Sequence, residues 1–309
     1  MIRNEPMLTS ASFFWSDAMN AFLFNHGPMT PTLLDVLMLT GLNISAPDRS
    51  FSLSDKASFK IETRSIGGWK GYINKNMKTS SVSVREHTTF LNMWLEKFIF
   101  CGKAVGPTNN ALKRAEALAS GNLIPLGKHL LGSVYHLLHQ VSVRLRNDQP
   151  ISNLGGPWWF IQLWLNMYMH RTMGVNLMEM AFPSEEFAEG DEVVTHRCTS
   201  FGEAAIMIAN NPDVFGTTDF FKCFYNGFSE ESAIWFAYHD NDSYENPFKF
   251  QFTAWKDDEY ATNSMKEIIS PRILPANFTS GCDTPTFEFY YPTVAARQLR
   301  FGQSPLPFL

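Results

Sequence analysis

Three histidines, His129, His136 and His139, fall in one stretch whose apolar positions recur at helical spacing. Histidine ligates metals and moves protons near neutral pH, so chemistry is sought there first. On a helix, His129 and His136 lie about 20° apart and His139 about 60° further round. Leu130, Val134, Leu137, Leu138, Val141 and Leu145 face roughly the other way. A zinc pair of the HExxH type needs i, i+4 spacing and a nearby carboxylate. The spacing here fits a solvated polar face better. Glu86 beside His87 is a second acid–base possibility, but nothing in the sequence pairs the many carboxylates for catalysis. There is no GxxxxGK[ST] loop, GxGxxG turn or GxSxG elbow, and no lysine in a Schiff-base context. The sequence therefore yields no catalytic residue, no metal set and no cofactor.

A second constellation points to binding. Lys56, Lys60, Arg64, Lys70, Lys75 and Lys78 interleave with Phe59, Trp69 and Tyr72. Cations beside rings can grip a single nucleic-acid strand by charge and stacking. The plainer reading is a basic loop whose rings plug into the core. Charge along the chain is uneven. Residues 51–149 carry 14 Lys/Arg and 6 Asp/Glu, and residues 150–262 carry 5 and 17. That asymmetry can mark a basic surface, or two halves whose charges compensate. A net charge of −5 argues against strong non-specific nucleic-acid binding.

The elements that must position these residues are mainly helical. A glycine-rich turn, Gly67-Gly68-Trp69-Lys70-Gly71, leads to a helix over 84–100, with Ser83 and Glu86 as a capping box. Phe90, Leu91, Trp94, Leu95, Phe98 and Ile99 make one apolar stripe on it, which predicts a core face. Thr30 reads as the N-cap and Pro31 as the first residue of a helix that Gly41 stops. Ser12 to Phe24 suggests a small N-terminal hairpin, and residues 43–80 read as loop with weak strand. Further helices are expected over 108–120, 126–145, 157–170, 217–226 and 230–239, with one from Ser200 to Asn211-Pro212. The helix over 157–170 is apolar on all sides and so should be the hub of the core. Glu185, Glu186, Glu189, Asp191 and Glu192 form an acidic loop, and the Pro-rich C-terminal tail beyond Ile269 should be irregular. The expected architecture is mainly α: a single large helical domain over 8–309, either whole or a piece of a longer protein.

Composition agrees with a folded chain: 45% hydrophobic, 18% charged, 27 Phe and 8 Trp predict a large aromatic core. No secretory leader is visible, and the longest apolar run, Trp158 to Met169, falls short of the ~20 residues of a membrane span. Cys101, Cys198, Cys223 and Cys282 form no CxxC pair and read as reduced, mostly buried thiols of an intracellular protein.

Four strings stand in order along the chain. They are Asn25-His26-Gly27-Pro28-Met29-Thr30-Pro31-Thr32-Leu33-Leu34-Asp35-Val36, ending Leu39-Thr40-Gly41-Leu42; Gly-Gly-Trp69 with Glu86-His87, Phe90-Leu91 and Trp94-Leu95; Gly156-Pro157-Trp158-Trp159-Phe160-Ile161-Gln162; and Phe287-Glu288-Phe289-Tyr290-Tyr291-Pro292 with Ala296-Arg297-Gln298. Together they resemble the plant mobile domain family, often labelled aminotransferase-like, over nearly the whole chain. Arg300 stands where members of that family commonly have glycine. The resemblance implies a transposon-encoded or transposon-derived protein. Relatives of the Maintenance of Meristems type are nuclear and act in meristem maintenance, genome stability and transposon silencing. They associate with protein-phosphatase-7-like phosphatases. It implies no catalytic residues, and the motif search gives the aminotransferase label no support. The leading expectation is thus a non-enzymatic interaction domain that binds protein partners, with chromatin or nucleic acid as an indirect contact and no membrane. The alternatives are an enzyme with an unrecognised site, or a single-strand binder using residues 56–78.

Overall fold

The computed structural model describes residues 2–46, 57–77, 81–104, 106–151, 154–177, 181, 198, 200–209, 215–238, 259–276 and 286–301. The acidic loop at 185–192, Lys56, Lys78, Cys282 and the helix end at Asn211-Pro212 lie outside the described residues. Within the span read as one domain, the chain forms two compact units, both discontinuous in sequence. Unit 1 is Met1–Gly41, Trp158–Pro271 and Tyr291–Leu309; unit 2 is Leu42–Pro157 and Arg272–Tyr290. Both are mainly α.

Unit 1 begins with α1, Glu5–Ser12. Where the sequence suggests a hairpin, a three-stranded antiparallel meander follows: β1 (Trp15–Ser16), β2 (Ala21–Phe24) and β3 (Gly27–Met29). Helix α2, Leu33–Thr40, is capped by Thr32 rather than Thr30. The reason is the spacing Thr32-x-x-Asp35. It closes a full capping box, which leaves Pro31 outside the helix. Gly41 ends α2 in the left-handed conformation, as the sequence predicts.

Helix α7, Trp158–Met169, is the hub of unit 1: every side chain on it except Trp159 is buried. Its polar residues act as fasteners. Gln162 accepts the Asn4 N–H and donates to the Ile2 carbonyl, both at 2.9 Å, and Asn166 donates to the Ala205 carbonyl at 2.9 Å. Trp164 stacks on Phe22 with centroids 5.4 Å apart. Helix α8 (Phe201–Ala209) packs on α7, α9 (Thr217–Asn226) packs on α1, and α10 (Glu259–Ile269) packs on α2. The helix expected over 230–239 is absent from the described part, where turns replace it, and α10 was not foreseen.

In unit 2, the supposed loop before residue 80 contains a helix, α3 (Gly68–Asn76). Gly67 enters it with φ +77°, and a Cβ on Gly71 would strike the Ile66 carbonyl. The glycines that read as loop are thus what lets the helix start tightly. Helix α4, Val84–Met93, continues without a break into a π-helical segment, Trp94–Ile99. Then come α5 (Leu112–Ala119) and the long α6 (Leu126–Arg146). The Pro-rich tail is not wholly irregular. Arg272–Pro275 (β4) and Phe287–Tyr290 (β5) pair antiparallel, and a 3₁₀ turn covers Ala296–Leu299 in unit 1. Proline is tolerated there because Pro275 ends a strand of a two-stranded ribbon with open edges. Among the described residues, no helix is long and apolar enough to cross a membrane.

Candidate functional site

Unit 1 joins the first of the four strings to the Ala296-Arg297-Gln298 end of the last. Asp35, at the first turn of α2, is fully buried. Its carboxylate accepts four hydrogen bonds: from the Thr32 N–H and hydroxyl, both 2.7 Å, from the Tyr168 hydroxyl at 2.9 Å and from the Tyr238 hydroxyl at 2.7 Å. Burial pushes its pKa up, against the downward pull of these donors. Both tyrosines are raised in turn, first by burial and then by the neighbouring carboxylate. Gln298 closes the same joint, accepting the Thr30 N–H at 2.8 Å and donating to the Thr30 carbonyl at 3.1 Å. The Thr30 hydroxyl donates to the Asn20 carbonyl, which is why it does not cap α2.

Beside this joint, the Arg297 guanidinium lies 4.9 Å over the Trp235 ring, and Gly27 sits at φ +139° with Trp235 so close that a Cβ would meet it at 3.1 Å. His26 is wedged between Phe24, Phe228 and Trp235. Burial and the Arg297 charge lower its pKa to about 4, so it is neutral at pH 7. The string residues Thr30, Asp35, Arg297 and Gln298 therefore hold chain segments together. Arg300 takes the left-handed turn, φ +59°, that glycine commonly supplies, and its guanidinium lies 4.2 Å over Phe236.

Several aromatic groups among the described residues of unit 1 face outward. On α9, Phe220 and Phe224 are buried while Phe221 and Tyr225, four residues apart, face out. Phe221 stacks with Tyr225 at 6.1 Å and meets Phe13 edge-on at 6.2 Å. Phe13 and Tyr225 are 56% and 65% exposed, and Leu23 on β2 is exposed as well.

The basic–aromatic stretch of unit 2 is rearranged relative to expectation. Tyr72 belongs to the core with Ile61, Met93 and Leu112, so it presents no ring to a ligand. Its hydroxyl donates to the Thr89 carbonyl at 3.1 Å and accepts from Asn92 at 3.2 Å. Trp69 packs partly on that core. Lys75 pairs with Glu62, while Lys60, Arg64 and Lys70 are exposed. The stripe of α4 is also corrected. Phe90 and Phe98 face solvent, Leu91 and Trp94 are half-buried, and only Leu95 and Ile99 are fully inside. The inward face of α4 is Thr88, Thr89, Asn92 and Met93. Asn92 donates to the Thr108 carbonyl, and Glu96 accepts the N–H groups of Thr108 and Ala111 and the Thr108 hydroxyl, fixing the start of α5. Sequence periodicity missed this because Asn92 finds its partners on Tyr72 and Thr108, far off in sequence, while Thr88 and Thr89 bond back to the Val84 and Arg85 carbonyls of their own helix.

Glu86 is half-buried and His87 exposed at the start of α4, where the Ser83 hydroxyl accepts the Glu86 N–H at 3.1 Å. The three histidines of α6 do not share a solvated face. His129 is buried, while His136 contacts Glu288 at 3.0 Å and Gln140 at 2.9 Å. Among the described residues no three His, Cys, Asp or Glu side chains converge as a metal site. Cys101, Cys198 and Cys223 are free thiols, and burial raises Cys101 to about 11, far from a nucleophilic thiolate.

The chain belongs to the plant mobile domain family, whose model matches residues 1–305. Comparison with curated proteins and with solved structures found no match.

Proposed function

We propose that the chain is a non-enzymatic interaction domain of transposon origin that acts in the nucleus through protein partners, a protein-phosphatase-7-like phosphatase among them. Its service would be in transposon silencing, genome stability and meristem maintenance. Membership of the plant mobile domain family supports this reading. The observation that carries it is the ring cluster of unit 1. Phe13, Phe221 and Tyr225 touch one another at the surface instead of filling the core. Exposed aromatic groups of this kind anchor protein interfaces, where a few buried rings supply most of the binding energy. The string residues Asp35 and Gln298 support it too, because their polar atoms are engaged in holding unit 1 together.

The test is binding to the named phosphatase. The purified full chain should retain a protein-phosphatase-7-like phosphatase, and Phe221→Ala with Tyr225→Ala should abolish retention without unfolding the chain. A lysine-dependent absorbance band on adding pyridoxal phosphate would contradict the non-enzymatic reading.

A further inference from the structure

Helix α4 and its π segment turn an aromatic edge outward. Phe90 is 47% and Phe98 51% exposed, with Trp94 half-exposed between them. Four residues overshoot a full turn by about 40° in an α-helix. In a π-helix, with its wider i→i+5 turn, four residues fall short of one by about 30°. The change of helix type at Trp94 therefore cancels the drift, and Phe90, Trp94 and Phe98 stay in line along one edge.

Cations accompany these rings. The Lys97 ammonium lies 5.1 Å from the Phe98 ring centre and 5.9 Å from that of Trp69, whose neighbour Lys70 is exposed. Segments 57–77 and 81–104 together carry seven Lys/Arg and three Glu. Two of those three carboxylates are engaged, Glu62 with Lys75 and Glu96 with the start of α5. The Glu62–Lys75 pair cancels and Glu96 keeps its charge, so seven cations against three carboxylates leave the two segments at +4.

We propose that this edge, Phe90, Trp94 and Phe98 with Trp69, Lys70 and Lys97, binds single-stranded nucleic acid. The charge complements phosphate, and exposed rings in line can each stack on a base without reading its sequence. Duplex bases are already stacked and offer no face to the rings. The inference is independent of the protein-docking surface of unit 1 and uses other residues.

Fluorescence anisotropy of the full chain with a labelled 20-mer of dT, an equal-length duplex and labelled poly-glutamate tests it. The single strand should bind at 50 mM salt and weaken by about tenfold or more at 200 mM. Phe98→Ala and Lys97→Ala should each weaken it by about fivefold or more, while Phe221→Ala in unit 1 should change nothing. Circular dichroism checks that the variants are folded, which these exposed positions should permit. No binding at 50 mM salt, binding unmoved by both α4 variants, or equal binding of the duplex would overturn the proposal. Poly-glutamate binding that competes with the single strand and depends on Phe98 would also overturn it, in favour of an acidic protein partner.

Discussion

Asp35 shows how one side chain can organise a fold. A carboxylate with no access to water draws its stabilisation from its four donors together. Asp35→Ala should cost about 3–5 kcal/mol, because the Tyr168 and Tyr238 hydroxyls and the Thr32 N–H would be left buried and unpaired. Tyr238→Phe removes one donor and should cost nearer ~1 kcal/mol. Urea denaturation of the two variants checks the ratio. His26 gives a pH dependence. Its folded pKa, about 4, lies below the ordinary value of 6.5, so the unfolded chain takes up a proton between those values that the folded chain refuses. The stability His26 contributes is present above pH 6.5 and is lost as pH falls toward 4. The drop in urea midpoint between pH 7 and pH 5 should therefore be smaller in His26→Gln than in the wild type; an equal drop would contradict the assignment. Asp35 was visible in the sequence as part of a string, and its tyrosine partners were not. Tyr168 and Tyr238 lie 133 and 203 residues away, a distance that no local pattern encodes.

At the scale of elements, α7 and α4 contrast. The apolar composition of α7 on every side predicts a central helix, and that is its place in unit 1. Helix α4 obeys the opposite logic from its stripe. Asn92 on its buried polar face donates to the Tyr72 hydroxyl and the Thr108 carbonyl, Glu96 accepts the Ala111 N–H at the start of α5, and the change to π geometry at Trp94 resets which residues face in. Periodicity assumes a constant turn and an apolar inside, and neither holds here. The difference is measurable. Phe90→Ser and Phe98→Ser should change stability by less than ~0.5 kcal/mol, the ordinary range for a surface substitution. Asn92→Ala should cost about 1–3 kcal/mol by leaving the Thr108 carbonyl and Tyr72 hydroxyl without their donor. The reverse order would restore the stripe as core. In α3, the glycines that read as loop mark a tightly entered helix, since turn and helix start share the same residue preference.

Considered whole, the chain devotes the most specific parts of its family strings to its own construction and leaves rings at the surface. Mainly α structure, the central helix and family membership were legible from the sequence, because composition and short strings carry them. The division into two discontinuous units was not legible, since each unit is assembled from segments far apart in the chain. The surface of unit 1 was equally hidden: Phe220, Phe221, Phe224 and Tyr225 look alike in sequence, and only packing decides which pair faces out. The central claim is that this outward pair docks a protein. Titration calorimetry of the full chain against a purified protein-phosphatase-7-like phosphatase tests it most directly. The account predicts a saturable complex that Phe221→Ala with Tyr225→Ala weakens by at least about tenfold, the loss of ~1.4 kcal/mol or more expected of an interface anchor. No complex with the wild type, or one that the double variant leaves unchanged, would contradict it.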